Sequence, residues 1–290
     1  MLTSLVMQLE AREGGNLPAS LGRATQALLL RLVGEQDAAL ATQLHDDEGP
    51  RPYTASNLML GRRAAGSLIV RPGEHGWLRF TGLTEPVSAC LMRLAASPPD
   101  EVDIDGLPLR VLGATLDASV HPWAAQSDYQ TLAICYLLDG ARQVTSRVEL
   151  DFVSPTTFRS SGRYVPLPLP ELVFGSLLER WQTFAPVALS PEVRRFAAEV
   201  VVVTRYALRT HSLPGKEGAL FIGFCGRVAF TALNRDRYWL SALNLLAAYA
   251  FYSGVGYGTA SGLGQVRNIT MPRAEEKDTS WPDRLDRQVG

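Results

Sequence analysis

Five glycines lie within the eleven residues 254–264, and a short run that reaches an arginine follows them at once. Glycine at this density lets the backbone pass close to a partner and lets φ become positive, so several N–H groups can converge on one anion. Tyr257 adds a ring face, and Arg267 adds a planar cationic group that suits phosphate. These groups together fit a sugar-phosphate backbone with bases attached. They predict ligand contacts by Arg267 and by the glycines Gly254, Gly256, Gly258, Gly262 and Gly264.

The elements around these glycines argue against two familiar phosphate-binding motifs. A dinucleotide-binding fingerprint follows a strand and opens a helix. Here an amphipathic helical pattern from about 236 to 252 comes first, and a strand pattern at 263–269 follows. A P-loop is excluded because the chain has no Gly-Lys-Ser or Gly-Lys-Thr. The alternative to a ligand-contacting segment is a loop that closes the helix, with Gly254 alone as its cap.

The composition is that of a globular protein with no overall attraction for nucleic acid. The 290 residues suit one large domain or two of ordinary size, and 46% of them are hydrophobic. The formal net charge is −1, so any basic site must be local. Every cation except Lys216 and Lys277 is an arginine, which suits bidentate phosphate contacts but is equally expected from a GC-rich genome.

Cysteine and histidine usage predicts neither a metal ion nor a cofactor. Cys90, Cys135 and Cys225 are odd in number, widely spaced and set among apolar residues, which is typical of buried, reduced thiols. The four histidines have no metal-ligand spacing. No apolar run reaches the ~18 residues that a membrane span needs, and the N-terminus lacks the pattern of a signal peptide. We therefore expect a cytoplasmic protein without a membrane partner.

Apolar periodicity in the first half of the chain predicts a ferredoxin-like order of elements, β-α-β-β-α-β. The predicted elements are a strand at 5–9, a helix from 18 to about 44, an extended segment at 53–60, a hairpin of 66–70 with 77–80, a helix at 86–96 and extended residues at 102–116. A connection through His121-Pro122-Trp123 and a short helical segment at 129–138 follows.

The second half repeats this order, so the fold class is α+β with two tandem ferredoxin-like, RRM-like domains. The predicted elements are strands at 144–152, 199–208, 220–230 and 266–269, with helices at 172–184, 191–198 and 238–252. The expected domains are 1–142 and 143–270, and a polar, disordered tail is expected at 271–290. A ferredoxin-like sheet is also the framework of a common single-stranded RNA module, but the aromatic consensus of that module is missing from both halves.

Three segments in this order resemble one family. They are Leu17-Pro18-Ala19-Ser20-Leu21-Gly22-Arg23 running on to Leu44-His45-Asp46, the segment 150–159 with its Ser-Pro-Thr, and the glycine-rich segment ending Gly262-Leu263-Gly264-Gln265-Val266-Arg267. The chain resembles the CRISPR-associated endoribonucleases that cut the long CRISPR transcript within its repeats, the repeat-processing members of the RAMP superfamily. The resemblance reaches to about residue 270 and implies two tandem ferredoxin-like domains.

The resemblance also implies metal-independent RNA cleavage, in which a 2′-hydroxyl attacks the adjacent phosphate and leaves 2′,3′-cyclic phosphate and 5′-hydroxyl ends. The catalytic histidine of the family falls at His45, and an imidazole can serve as acid or base near neutral pH. Some members place a lysine a few residues later, where this chain has Arg51, whose role would be electrostatic. An upstream tyrosine assists in some members, but the first predicted helix contains none.

For RNA positioning, the resemblance points first to the glycine-rich segment and Arg267. The family often has a lysine where Gly258 stands, so contacts by Arg159 and Arg163 would gain importance. The implied partner is CRISPR repeat RNA, both precursor and mature. An alternative is a non-catalytic RAMP-type RNA-binding subunit of a CRISPR effector complex. The sequence leaves open whether the chain forms a homodimer.

Overall fold

The structure is a computed structural model that describes residues 1–46, 49–64, 66–138, 144–214 and 220–270. Its first half contains strands and helices in the order β1 (Leu2–Ala11), β2 (Gly15–Pro18), α1 (Gly22–Gly34), α2 (Ala38–Asp46), β3 (Tyr53–Ala55), β4 (Arg62–Ala64), β5 (Ser67–Val70), β6 (His75–Gly82), α3 (Glu85–Ala96), β7 (Glu101–Ile104), β8 (Leu107–Thr115) and β9 (Ala125–Ser127).

The second half begins with a connecting helical segment and ends with a short strand. Its elements are α4 (Tyr129–Ala133), a π-helix (Ile134–Leu138), β10 (Arg147–Thr156), β11 (Phe158–Ser160), β12 (Arg163–Val165), α5 (Pro170–Phe184), α6 (Val193–Val200), β13 (Val201–Pro214), β14 (Leu220–Ala232), α7 (Arg237–Ser253), a 3₁₀-helix (Thr259–Ser261) and β15 (Val266–Asn268).

Each half has a sheet in ferredoxin-like order, which confirms the predicted fold class. The first sheet runs β3-β6-β1-β8-β7, with β9 pairing one end of β1. Leu5, Met7 and Leu9 alternate along β1 and pack against apolar residues of α1 and α3. The second sheet runs β13-β14-β10-β15, and α5 and α7 cover it through a core that includes Phe174, Trp181 and their neighbours.

Two predicted elements of the first half were wrong. The single helix expected from 18 to 44 is two helices, because α1 ends at Gly34 and the Asp37 side chain accepts a hydrogen bond from the Leu40 amide (2.9 Å) at the start of α2. The expected hairpin of 66–70 with 77–80 does not form. Instead, β5 pairs with β2 and β4, whereas β6 pairs with β1 and β3.

The expected domain boundary at 142 and the tail at 271–290 lie outside the described residues. Within the described part of the chain, α4 and the π-helix pack on α7, and Tyr129 belongs to the same core as Trp181. The two halves also meet directly. The amide of Gly262 donates to the carbonyl of Ala55 in β3 (2.9 Å), and Thr81 Oγ1 donates to the carbonyl of Tyr252 in α7 (2.8 Å).

Candidate functional site

The candidate catalytic histidine lies in the last turn of α2, on its outer face. Leu40 and Leu44 are the buried residues that attach this helix to the core, and they leave the His45 side chain 78% exposed. The carboxylate of Asp46 lies 3.8 Å from Nδ1 of His45, and both groups face solvent. A surface pair of this kind contributes little to stability. The imidazole is therefore open to a ligand that approaches the end of α2.

Arg51 lies directly against the backbone of this helix end. Its Nη1 donates to the carbonyl of Leu44 (2.7 Å) and its Nη2 to the carbonyl of His45 (3.3 Å). The last carbonyls of a helix have no partner within it and carry partial negative charge, so a guanidinium there is favourable. The structure thus brings His45 and Arg51 together. Tyr53 does not join them, because its ring is buried and its hydroxyl accepts a hydrogen bond from Gln26 (3.0 Å).

The glycine-rich segment, residues 254–264, packs inward and uses its amides for protein contacts. The amide of Gly256 donates to Oγ of Ser176 (2.9 Å), and the amide of Gly264 donates to the carbonyl of Pro155 (3.1 Å). The amide of Gly262 donates to the first half of the chain, as described above. The expectation that several of these N–H groups converge on an anion is therefore not met at these three glycines. RNA contact by the segment stays a prediction.

Close backbone approach explains why this segment needs glycine. At Gly264 the φ angle is +66°, and a Cβ would lie 2.0 Å from the carbonyl oxygen of Val255. A second close approach lies at the joint between the two halves of the chain, where a Cβ on Gly22 of α1 would lie 2.0 Å from the carbonyl oxygen of Ser261. No side chain fits at such distances. Gly264 lets the loop after α7 fold back on itself, and Gly22 lets this loop touch the first half of the molecule.

Arg267 is held by a carboxylate on the neighbouring strand. Its Nε and Nη2 lie 3.2 and 3.1 Å from Oδ2 of Asp151, the residue directly opposite it in β10. The guanidinium also lies 5.4 Å from the centroid of the Trp123 ring. Arg267 is thus fixed in direction and partly neutralised. Its proposed RNA contact would be made by a group that is already oriented.

Arg159 and Arg163 lie on a short hairpin that the sequence patterns did not predict. Arg159 is in β11 and faces Tyr164 of β12, whereas Arg163 pairs with Ser160. Both arginines are exposed. Tyr164 contacts Tyr257 of the glycine-rich segment, with ring centroids 5.4 Å apart. The structure therefore brings the hairpin arginines next to the glycine-rich segment. Among the described residues, no hydrogen bond or ion pair joins His45 to this group.

Arg79 is a site-supporting residue that sequence reasoning missed. Its guanidinium is buried between the rings of Trp123 and Phe251, 5.0 and 4.3 Å from their centroids. It donates to Oγ of Ser4 (2.7 Å) and to the carbonyls of Trp123 and Phe251. Burial lowers the pKa of Arg79 to about 9, so the group stays charged at neutral pH. The negative end of α7 stabilises this charge across the joint between the halves.

A second buried arginine donates a hydrogen bond to the backbone of the glycine-rich segment. Arg180 in α5 is largely buried, and its Nη2 donates to the carbonyl of Gly256 (3.2 Å). Burial lowers the pKa of Arg180 as well. The contact fixes the backbone next to Tyr257. Alternation and helical periodicity mark such positions only as buried or exposed, so they gave no sign of either arginine's role.

The described residues contain no group of three or more His, Cys, Asp or Glu side chains placed to share a metal ion. All three cysteines are free, with Cys90 buried and Cys135 and Cys225 half-buried. In the part of the chain that the structure describes, no helix is long and apolar enough to cross a membrane.

Comparison with known proteins identifies the family. The model of the CRISPR-associated endoribonuclease Cas6 family matches residues 150–266. A solved Cas6 product complex is 31% identical to this chain, with a TM-score of 0.72, and the match covers 93% of this chain and 99% of that one. The chain belongs to the Cas6 family.

Other Cas6 proteins extend the likeness. A Thermus thermophilus Cas6 structure is 26% identical, with a TM-score of 0.68 over 93% of this chain and 98% of the other. The CRISPR-associated endoribonuclease Cas6 of Mycobacterium tuberculosis (strain CDC 1551 / Oshkosh) is 32% identical over 128 residues. That match spans 44% of this chain and only 40% of the mycobacterial protein.

The matched segment and the candidate catalytic residues lie in different halves. Residues 150–266 include Arg159, Arg163 and the whole glycine-rich segment. His45 and Arg51 lie before this segment, in the half that the structural matches cover but the family model does not. Family membership is thus carried by the second half and by the overall fold. The roles of His45 and Arg51 depend on their own geometry.

Proposed function

We propose that this Cas6 protein is a cytoplasmic endoribonuclease that cuts CRISPR precursor RNA within its repeats, without a metal ion. Membership of the Cas6 family is the observation that carries the proposal. Solved relatives at 29–31% identity hold a product or a substrate mimic. These complexes support repeat RNA as the partner of this chain, as precursor and as mature product.

The proposed reaction is an attack by the 2′-hydroxyl of one nucleotide on the phosphate that follows it. A base takes the 2′-hydroxyl proton, the O2′–P bond forms, and the P–O5′ bond breaks as an acid gives a proton to the leaving oxygen. The products are a 2′,3′-cyclic phosphate and a 5′-hydroxyl. His45 supplies one of these two proton transfers. Its exposure in the last turn of a helix supports this role.

Arg51 has two proposed roles. Its hydrogen bonds to the carbonyls of Leu44 and His45 fix the backbone that carries the imidazole. Its charge would also act on a phosphate bound at His45, because the guanidinium lies against the same helix end. A fixed cation stabilises the extra negative charge of the transition state more than that of the ground state. Arg51 is therefore expected to act through position and charge, not through proton transfer.

A histidine variant of a relative supports this assignment. One relative, 31% identical to this chain, was solved with a histidine near its N-terminus replaced by alanine. This chain has four histidines, and His45 is the first of them. The next, His75, is an exposed residue at the start of β6. It provides a matched control, because it has the same side chain and is also exposed.

The test is single-turnover cleavage of a repeat RNA from the host's own array, in excess EDTA. We expect wild-type and His75→Ala proteins to cut it and His45→Ala to lose about 10²–10⁴-fold in rate. A substrate with a 2′-deoxy group at the cut position should resist cleavage. The downstream product should accept a 5′ label from polynucleotide kinase without prior phosphatase treatment.

Two results would contradict the proposal in different ways. If RNA binds tightly but is never cut, the chain is a non-catalytic RNA-binding subunit. If cleavage continues at the wild-type rate in His45→Ala, the enzyme stands and the assignment of His45 is wrong. Arg51→Ala, measured beside them, should reduce the rate while leaving repeat binding within a few fold of wild type.

A further inference from the structure

Two exposed tyrosines form a pair where the β11–β12 hairpin meets the glycine-rich segment. Tyr164 and Tyr257 are 39% and 40% exposed, and their rings meet edge to face at 70°. The amide of Tyr257 donates to the carbonyl of Thr157 (2.8 Å), immediately before β11. The pair is thus held by backbone contacts on both sides. It is a formed surface feature and not two unrelated side chains.

The arrangement leaves flat apolar area open to a planar group. An edge-to-face contact covers one face of only one ring, whereas a stacked contact covers one face of each ring. By contrast, the edge-to-face contact between Trp181 and Tyr249 is buried. Here both rings reach solvent. Exposed aromatic faces are the surfaces on which proteins stack the bases of single-stranded nucleic acid.

A positive charge next to the tyrosine pair suits the negative phosphate of a nucleotide. Arg159 lies directly opposite Tyr164 in the antiparallel hairpin, so the two side chains are on the same face. Arg159 is also exposed. A guanidinium beside an aromatic face can contact the phosphate of a base that is stacked there.

We infer that Tyr164, Tyr257 and Arg159 form a binding site for one unpaired nucleotide of the bound RNA. The base stacks on the tyrosine pair, and Arg159 contacts its phosphate. This inference rests on the proposed function for the identity of the ligand. It goes beyond that function by naming where an unpaired base is held, away from His45 and Arg51. Stacking of this kind is tolerant of sequence, so the site positions the RNA without reading its bases.

The first test is the affinity of repeat RNA, measured by filter binding at fixed salt. Loss of a stacking partner lowers affinity by about 5- to 100-fold, and we expect this for Tyr257→Ala and Tyr164→Ala. Tyr257→Phe and Tyr164→Phe keep the ring and should stay within about 2-fold of wild type. Tyr206→Ala is the matched control, since Tyr206 is 69% exposed on β13 and has no part in the site.

The second test identifies the base. 2-Aminopurine placed in turn at each unpaired position of the repeat should change fluorescence strongly at one position when wild-type protein binds. Tyr257→Ala should abolish that change, although thermal unfolding shows the variant to be folded.

The outcomes separate this inference from the proposed function. If wild-type protein does not bind repeat RNA, both fail. If wild-type protein binds and cuts the RNA but the alanine variants bind equally well, the enzyme stands and the nucleotide site is wrong. If affinity falls in the phenylalanine variants as much as in the alanine variants, the hydroxyls matter and not the ring faces. Stacking is then rejected.

Discussion

His121 shows how a single side chain can link the acidity of the solution to the stability of the joint between the halves. Its Nδ1 accepts a hydrogen bond from the Trp123 amide (3.2 Å), so the imidazole must be neutral at that nitrogen. Its ring packs against Trp77, with centroids 4.9 Å apart. Burial first, and then the nearby charge of Arg79, lower the pKa of His121. Protonation would break the hydrogen bond and place two cations side by side.

The sign of the pH effect follows from this shift. Because the pKa is lowered in the folded state, the unfolded chain takes up the proton first as pH falls below about 6.5. Stability that is present above that pH is therefore lost below it. We expect the free energy of unfolding in urea to fall more between pH 7.5 and 5.5 for wild type than for His121→Asn, which keeps an acceptor. An equal fall in both proteins, with His75→Asn as the reference, would contradict this role.

At the scale of elements, local sequence patterns predicted the individual strands and helices, whose bounds depend on residues close together in the chain. Alternation along β1 and β10 and helical periodicity in α5 and α7 placed these elements close to their observed bounds. The partners of β5 and β6 were predicted wrongly because two extended segments close together in the chain favour a hairpin, and an extended pattern does not say which strand lies beside which. The break between α1 and α2 was missed although Gly34 and Asp37 are stop and start residues, because the apolar period continues across them.

In the glycine-rich segment the sequence signal was strong, but it did not show which parts of the protein approach the glycines. The number of glycines was visible, but four of them are approached by atoms of the second half, and only Gly262 is approached by the first half, at Gly22 and Asn57. No periodicity could show this, because the contact joins residues far apart in the chain. The same reason hid Arg79 and Arg180, whose roles depend on carbonyls that tertiary structure brings to them. His45 and Arg51 could be named only by resemblance.

Gly264→Ala tests the requirement for close approach in that segment. A positive φ costs a non-glycine residue about 1–3 kcal/mol, and the overlap with the carbonyl of Val255 adds to this. We expect a loss of at least this size in the free energy of urea unfolding. Gly113→Ala in β8 is the matched control, since no atom lies within 4 Å of its Cβ position, and it should be nearly neutral. Equal effects at both glycines would reject the argument from close approach.

At the scale of the whole molecule, the two halves act as one body because polar groups of the first half satisfy the end of α7. Thr81 Oγ1 donates to the carbonyl of Tyr252, and Arg79 donates to that of Phe251. These carbonyls are among those that a helix leaves unpaired at its C-terminus. The glycine-rich segment begins immediately after this helix end. Any loosening of the joint would therefore move Tyr257 relative to His45, and RNA that spans both would bind less well.

Arg79→Met removes the charged part of this joint while filling much of its volume. The carbonyls of Trp123 and Phe251 and the hydroxyl of Ser4 would lose a charged donor inside the protein. Hydrogen bonds to charged groups contribute about 1.5–3 kcal/mol each, so we expect a loss of at least that size in urea unfolding. Arg110→Met is the matched control, because Arg110 makes only an exposed pair with Glu10 and should cost less than about 1 kcal/mol. If the joint couples the halves, we expect the wild type to unfold in one transition and Arg79→Met in two. A single transition with an unchanged midpoint would show that Arg79 does not hold the halves together.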